Sequence, residues 1–155
     1  MNYDNLTHLL TRSEARFRVI DHPPEGQSDR VAQVRGTAPG QGAKAMLCKC
    51  KHSSASLALV VLPGDRKLDF KKVAEALGVK KATLASPEEA MAATGNVIGA
   101  IPPFAELGMR LLVDPALVSE WAEIAFNAGC LDRSMVLDTA DYLRIAQPTL
   151  VSVCL

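Results

Sequence analysis

Leu6, Leu9, Leu10 and Phe17 recur at helical spacing, which predicts a helix over residues 3–16, and FRVIDH then reads as a strand over residues 17–22. After the breaker-rich HPPEGQ, Ser28 is placed to cap a short helix that carries Val31 and Val34 and stops near Gly36. TAPGQG then turns the chain into two β-type runs, AKAMLCKCK and SLALVVLP. HSSA separates these runs, so the pattern predicts a hairpin at the centre of a sheet. Asp69 suits the N-cap of FKKVAEALG, with Val73 and Leu77 on one face and Gly78 as the stop. Ser86 and Pro87, followed by Glu88 and Glu89, predict a helix to about residue 93. Further on, MRLLV reads as strand, Asp114-Pro115 as a helix start, EIAFNAG and SMVLD as short strands, and TADYLRIAQ as a last helix stopped by Pro148.

Strands and helices alternate without an internal repeat, a low-complexity tract or a linker. The expected architecture is therefore a single domain over residues 1–155, of mixed α/β (α+β) class, with one mixed sheet surrounded by helices. A chain of 155 residues buries roughly two thirds of its unfolded surface, enough for a core without disulfides.

Charge narrows the function classes. Seventeen basic and 17 acidic side chains cancel, so no global field draws the chain onto nucleic acid or an anionic membrane, and any RNA contact must be local. No apolar run reaches the roughly 20 residues of a membrane span, and the opening MNYDNLTHLL is polar at once. A cytoplasmic protein with no membrane partner is the expectation, and the four cysteines are expected to be reduced thiols.

Familiar catalytic spacings are missing: there is no GxSxG elbow, no Walker loop, no HExxH and no GxGxxG. Cys48, Cys50 and His52 would share one face of a strand, but their spacing matches no zinc pattern, so no metal and no cofactor are expected. Lys44 sits at the mouth of a strand just after the GQG turn, where a cation makes a point-charge partner for one phosphate. In TGNVIGAIPPF, at 94–104, Gly99 lets backbone approach a ligand. Pro102 and Pro103 pin the loop, leaving the amides of Gly99, Ala100 and Ile101 as candidate donors toward an oxygen. A helix-capping glycine followed by a proline-stiffened turn explains the same residues without any ligand.

GAKAMLCK at 42–49, LDFKKVAEALGVKK at 68–81, the ASPEEA helix and TGNVIGAIPPF together resemble the YbaK/ProX family, a domain that also forms the editing insertion of bacterial prolyl-tRNA synthetases. EIAFNAGCLDRSMVLDTADYLRIAQP is most similar to the free-standing YeaK-type members. The resemblance implies a mixed sheet with helices around it. It also implies a trans-acting deacylase that hydrolyses the ester joining a wrong amino acid to the 3′ CCA end of a tRNA. Carried onto this chain, it puts the phosphate-holding lysine on Lys44 and the family's GxxxP loop on Gly99, Ala100, Ile101, Pro102 and Pro103. It puts a pocket-shaping position on Asn127, in the turn that also contains Gly129, and a histidine-proline segment on His22 as a pocket wall.

The chemistry accounts for the missing motifs, since an aminoacyl ester is already activated. A positioned water, the ribose hydroxyl as proton relay and donors for the oxyanion suffice. YeaK-like likeness points toward serine or threonine, with alanine and cysteine left open. The alternative is a module that keeps the fold but binds a nucleotide, an aminoacyl adenylate or a synthetase partner without turnover. The two readings part on whether Lys44 and the Gly99 loop converge on one cavity.

Overall fold

The computed structural model describes residues 1–50 and 57–155. Helix α1 (Tyr3–Arg12) is capped by the Asn2 side chain and buries Leu6 and Leu10, and strand β1 (Phe17–Asp21) follows it. Helix α2 (Ser28–Arg35) ends at Gly36 as expected, but its N-cap is Gln27, with Ser28 as the first helical residue and no side-chain cap. A 3-10 turn (Pro39–Gln41) feeds β2 (Ala43–Cys50), which pairs antiparallel with β3 (Leu57–Pro63) in the expected hairpin, Lys44 opposite Leu62. His52 and the rest of the connection lie outside the described residues.

Three helix starts follow their capping residues. Asp69 accepts from the amides of Lys71 and Lys72 at the head of α3 (Phe70–Leu77). Ser86 and Glu89 form a reciprocal capping box on α4 (Pro87–Thr94), and Asp114 accepts from Ala116 on α5 (Pro115–Glu120). Between them lie β4 (Ala82–Leu84) and β5 (Arg110–Val113). The chain closes with β6 (Glu123–Asn127), β7 (Arg133–Asp138), α6 (Thr139–Ala146) and β8 (Thr149–Leu150).

The mixed α/β architecture is as expected, but the strands form two sheets where one was expected: β1-β7-β6, all antiparallel, and β4-β2-β3-β5-β8, mixed. A parallel bridge, Gly42 to Ala125, joins them. Strands β4 and β8, of three and two residues, are too short to carry a period in the sequence.

The larger sheet is covered on both faces, which is why β3 reads as an unbroken apolar run. One face puts Leu47, Leu59, Val61 and Val113 against Ile124, Phe126, Met135 and Leu137 of the smaller sheet, closed by Leu6, Leu10 and Tyr142. The other puts Val60, Leu62 and Leu112 under Val73 and Ala74 of α3. Because β4 pairs only with Cys48–Cys50, the first half of β2 is left without a ladder partner on that side beyond the Gly42 bridge, among the described residues. The candidate site lies at this bare edge.

Candidate active site

A cavity of about 160 Å³ opens beside β2, and its lining includes Lys44, Arg35, Gly26, Gly99, Ile101 and Asn127. The cavity thus joins a strand edge, the last turn of α2, the 22–27 loop, the 95–105 loop and the end of β6. Lys44 and the Gly99 loop, far apart in sequence, line the same space.

Lys44 is half-buried, and burial pushes its pKa below the ordinary lysine value despite the nearby Asp65 carboxylate. Its ammonium donates to the Arg66 carbonyl in the turn after β3, which fixes the side chain and leaves two of its three hydrogens available among the described residues.

Arg35 is the residue that sequence reasoning missed. As a basic residue in the last turn of α2, it reads as an ordinary complement to a helix C-terminus. In the fold it turns inward: Nε donates to Ser134 Oγ at 2.6 Å and one terminal nitrogen to Asn127 Oδ1 at 3.2 Å. The other terminal nitrogen, Nη1, has no hydrogen-bond partner among the described residues; it stands 3.7 Å from where a Cβ on Gly42 would sit. No carboxylate pairs with Arg35 among the described residues, and burial pushes its pKa down to about 10. It remains a cation at neutral pH, without a counter-ion among the described residues.

Asn127 and Ser134 face each other across the β6–β7 hairpin, and the Ser134 hydroxyl lies 3.0 Å from Asn127 Oδ1. The Asn127 amide nitrogen donates to the carbonyls of Glu25 and Gly99, each at 2.8 Å. With Arg35 and Ser134 on its oxygen, all four of its hydrogen-bonding positions are taken within the protein. Asn127 therefore clamps the two loops and α2 to β6.

Gly99 has φ +93°, and a Cβ there would lie 2.9 Å from both the Cα and the carbonyl oxygen of Gly26. The close approach that requires glycine is thus to the neighbouring loop. The Ala100 amide is not a free donor, because it closes a turn onto the Val97 carbonyl at 3.0 Å. The amides of Gly99 and Ile101 have no protein acceptor among the described residues. Pro102 and Pro103 are buried behind the wall rather than lining it, and the Tyr142 hydroxyl donates to the Pro103 carbonyl at 2.7 Å, so the loop is anchored as well as stiffened.

Two further expectations are corrected. His22 does not line the cavity: its ring sits between the Pro23 carbonyl, 2.9 Å from Nδ1, and Ser134 Oγ, 2.7 Å from Nε2, one residue behind Arg35. Gly129 lies outside too, its amide donating to the Ala100 carbonyl at 3.1 Å. His22 supports the site from behind because β1 and β7 pair in a register that sets Ile20 against Ser134, and Gly129 does so through its bond to Ala100.

The description "Aminoacyl-tRNA editing domain" belongs to the family model that matches residues 22–145, a span holding every residue of this cavity. The chain belongs to the aminoacyl-tRNA editing domain family. It is 46% identical over 154 residues to the multifunctional Ser/Thr-tRNA deacylase ProXp-y of Escherichia coli (strain K12), covering 98% of this chain and 92% of that protein. In fold it is similar to a crystal structure of a hypothetical protein, at TM-score 0.87 and 18% identity over 97% of this chain and 99% of that one. It is also similar to a structure ascribed to a trans-editing enzyme for prolyl tRNA synthetase, at TM-score 0.84 and 19% identity over 99% and 96% of the two chains.

The cysteines of this editing domain are poor nucleophiles. Burial pushes Cys48 and Cys154 up to about 12 and raises Cys50 and Cys130 as well, so the thiols are held protonated. No group of three or more His, Cys, Asp or Glu residues could hold a metal ion among the described residues, and His52 lies outside them. Among the same residues no helix is long and apolar enough to cross a membrane.

Proposed function

We propose that the whole chain acts as one trans-acting editing domain that hydrolyses the ester between serine or threonine and the 3′ CCA end of a mischarged tRNA. The observation that carries this reading is the convergence of Lys44 and the Gly99 loop on one cavity. The 46% identity to a Ser/Thr-tRNA deacylase supports the substrate class.

In this reading the two available hydrogens of the Lys44 ammonium hold the phosphate of the terminal nucleotide. The bare edge of β2 and the Gly99 loop flank the ester. Water bonds to the carbonyl carbon and the carbonyl pair moves onto oxygen. The water proton passes through the neighbouring ribose hydroxyl to the leaving ribose oxygen as the ester bond breaks. No protein nucleophile, metal or cofactor takes part, and the activity belongs where charged tRNA circulates, in the cytoplasm.

The test is a panel of tRNAs charged with serine, threonine, alanine or cysteine, followed for release of amino acid. Release from Ser- and Thr-tRNA well above the uncatalysed rate is the expected result. Binding of the panel without release would overturn it in favour of a non-catalytic binding module.

A further inference from the structure

Resting on that reading, we propose that Arg35 is a catalytic residue, its guanidinium stabilising the negative charge that develops on the ester carbonyl oxygen. Ser134 and Asn127 position it.

A cation removed from water without a counter-ion is unfavourable, and buried guanidinium groups are ordinarily paired with carboxylates. Arg35 instead has two neutral acceptors, Ser134 Oγ and Asn127 Oδ1, and faces the cavity. Both contacts hold one side of the planar fork, through Nε and one terminal nitrogen, which fixes the group while leaving its second terminal nitrogen beside Gly42 for a ligand. A fixed donor that needs no reorganisation when charge appears is what stabilises an oxyanion most effectively.

The ligand chemistry narrows the kind of charge that Arg35 meets. The α-ammonium of an aminoacyl ester is repelled by a guanidinium, and a neutral hydroxyl does not need a full cation. That leaves phosphate or the developing oxyanion. Lys44 follows Gly42 by two residues, roughly 7 Å between backbone positions, and its ammonium is tethered to the Arg66 carbonyl while Arg35 Nη1 stands beside Gly42, so the two cations are assigned to different groups of one ligand. With Lys44 assigned to phosphate, Arg35 faces the reacting carbonyl. It supplements the Gly99 and Ile101 amides of the loop, since the Ala100 amide is engaged by Val97.

The test is single-turnover hydrolysis of Ser-tRNA by wild type, Arg35→Met, Arg35→Lys and Arg35→Ala, with folding checked by circular dichroism. Arg35→Met should lower the maximal rate by about 10²-fold or more, with half-saturation changed less than about 3-fold. Arg35→Lys, which keeps the charge without the fork, should fall between, and added guanidinium ion should restore part of the rate of Arg35→Ala. A raised half-saturation with an unchanged maximal rate would assign Arg35 to ground-state phosphate binding and overturn the proposal. So would unaltered kinetics in folded Arg35→Met, or unfolding of Arg35→Met and Arg35→Ala together with no rescue. An inactive wild type on every tRNA of the panel would instead overturn the deacylase reading itself.

Discussion

Gly99 and Gly26 meet backbone to backbone: a Cβ on Gly99 would stand 2.9 Å from the Gly26 carbonyl oxygen. The contact locks the 22–27 loop against the 95–105 loop, and Asn127 ties both from below through the Glu25 and Gly99 carbonyls. Gly99→Ala therefore has two costs, a positive φ of +93° and a collision with backbone that cannot swing aside. The variant should melt at lower temperature than wild type and lose about 10²-fold or more in single-turnover rate. Binding of a non-hydrolysable aminoacyl-end analogue, held through Lys44, should survive. Equal losses in rate and binding would reduce the loop to a passive wall.

Lys44→Ala removes the proposed phosphate contact. Deacylation at low substrate should fall by a large factor while the fold persists, because among the described residues the side chain makes a single hydrogen bond, to the Arg66 carbonyl. The salt dependence of binding to the tRNA end should also become shallower, by a slope of about 0.7 for one lost single-strand phosphate contact. Near-normal turnover at low substrate would remove Lys44 from the site.

Replacing all four cysteines by alanine or serine should leave hydrolysis intact in the folded fraction. Their thiols are raised by burial, and Cys48 and Cys154 pack in the core under α3. Some stability should be lost through that packing. Stoichiometric zinc in the native protein, with activity lost to a chelator, would contradict this.

Local chemistry made the element boundaries legible. Asp69, Ser86 and Asp114 cap helices because their side chains satisfy amides a few residues on, an interaction contained within one short stretch of sequence. Lys44 was legible for a similar reason, as a cation following a turn. Arg35 was not: its role depends on Ser134 and Asn127, about a hundred residues away, and on a hairpin register that sets those two opposite each other. The division into two sheets was hidden for the same reason, since it turns on where β4 stops pairing with β2.

Acid stability should depend on Asp141. Its carboxylate accepts from the Arg16 amide at 2.9 Å, Arg16 Nε at 3.1 Å and an Arg144 nitrogen at 3.3 Å, which hold its pKa down to about 2. The folded value lies below the unfolded one of about 3.9, so the contribution is fully present above that pH and is lost as pH falls toward about 2. Asp141→Asn should lower the melting temperature at pH 7, and the gap to wild type should narrow between about pH 4 and pH 2. A gap independent of pH would show that shape rather than charge stabilises this contact.

Asn127→Asp tests whether the charge balance of the site matters as much as its shape. The replacement is almost isosteric, yet it turns a donor into an acceptor opposite the Glu25 and Gly99 carbonyls, each 2.8 Å from the present amide nitrogen. It also supplies the counter-ion that Arg35 lacks, next to a guanidinium nitrogen now 3.2 Å from Oδ1. A guanidinium paired with a fixed carboxylate has less attraction to offer a developing oxyanion, so the deacylation rate should fall at least as far as in Arg35→Met. Because both substitutions then remove the same cationic field, the double variant should be scarcely slower than Asn127→Asp alone. The measurement is the single-turnover rate of all four proteins of the cycle. Fully additive losses would mean that Asn127 acts only by holding the two loops together.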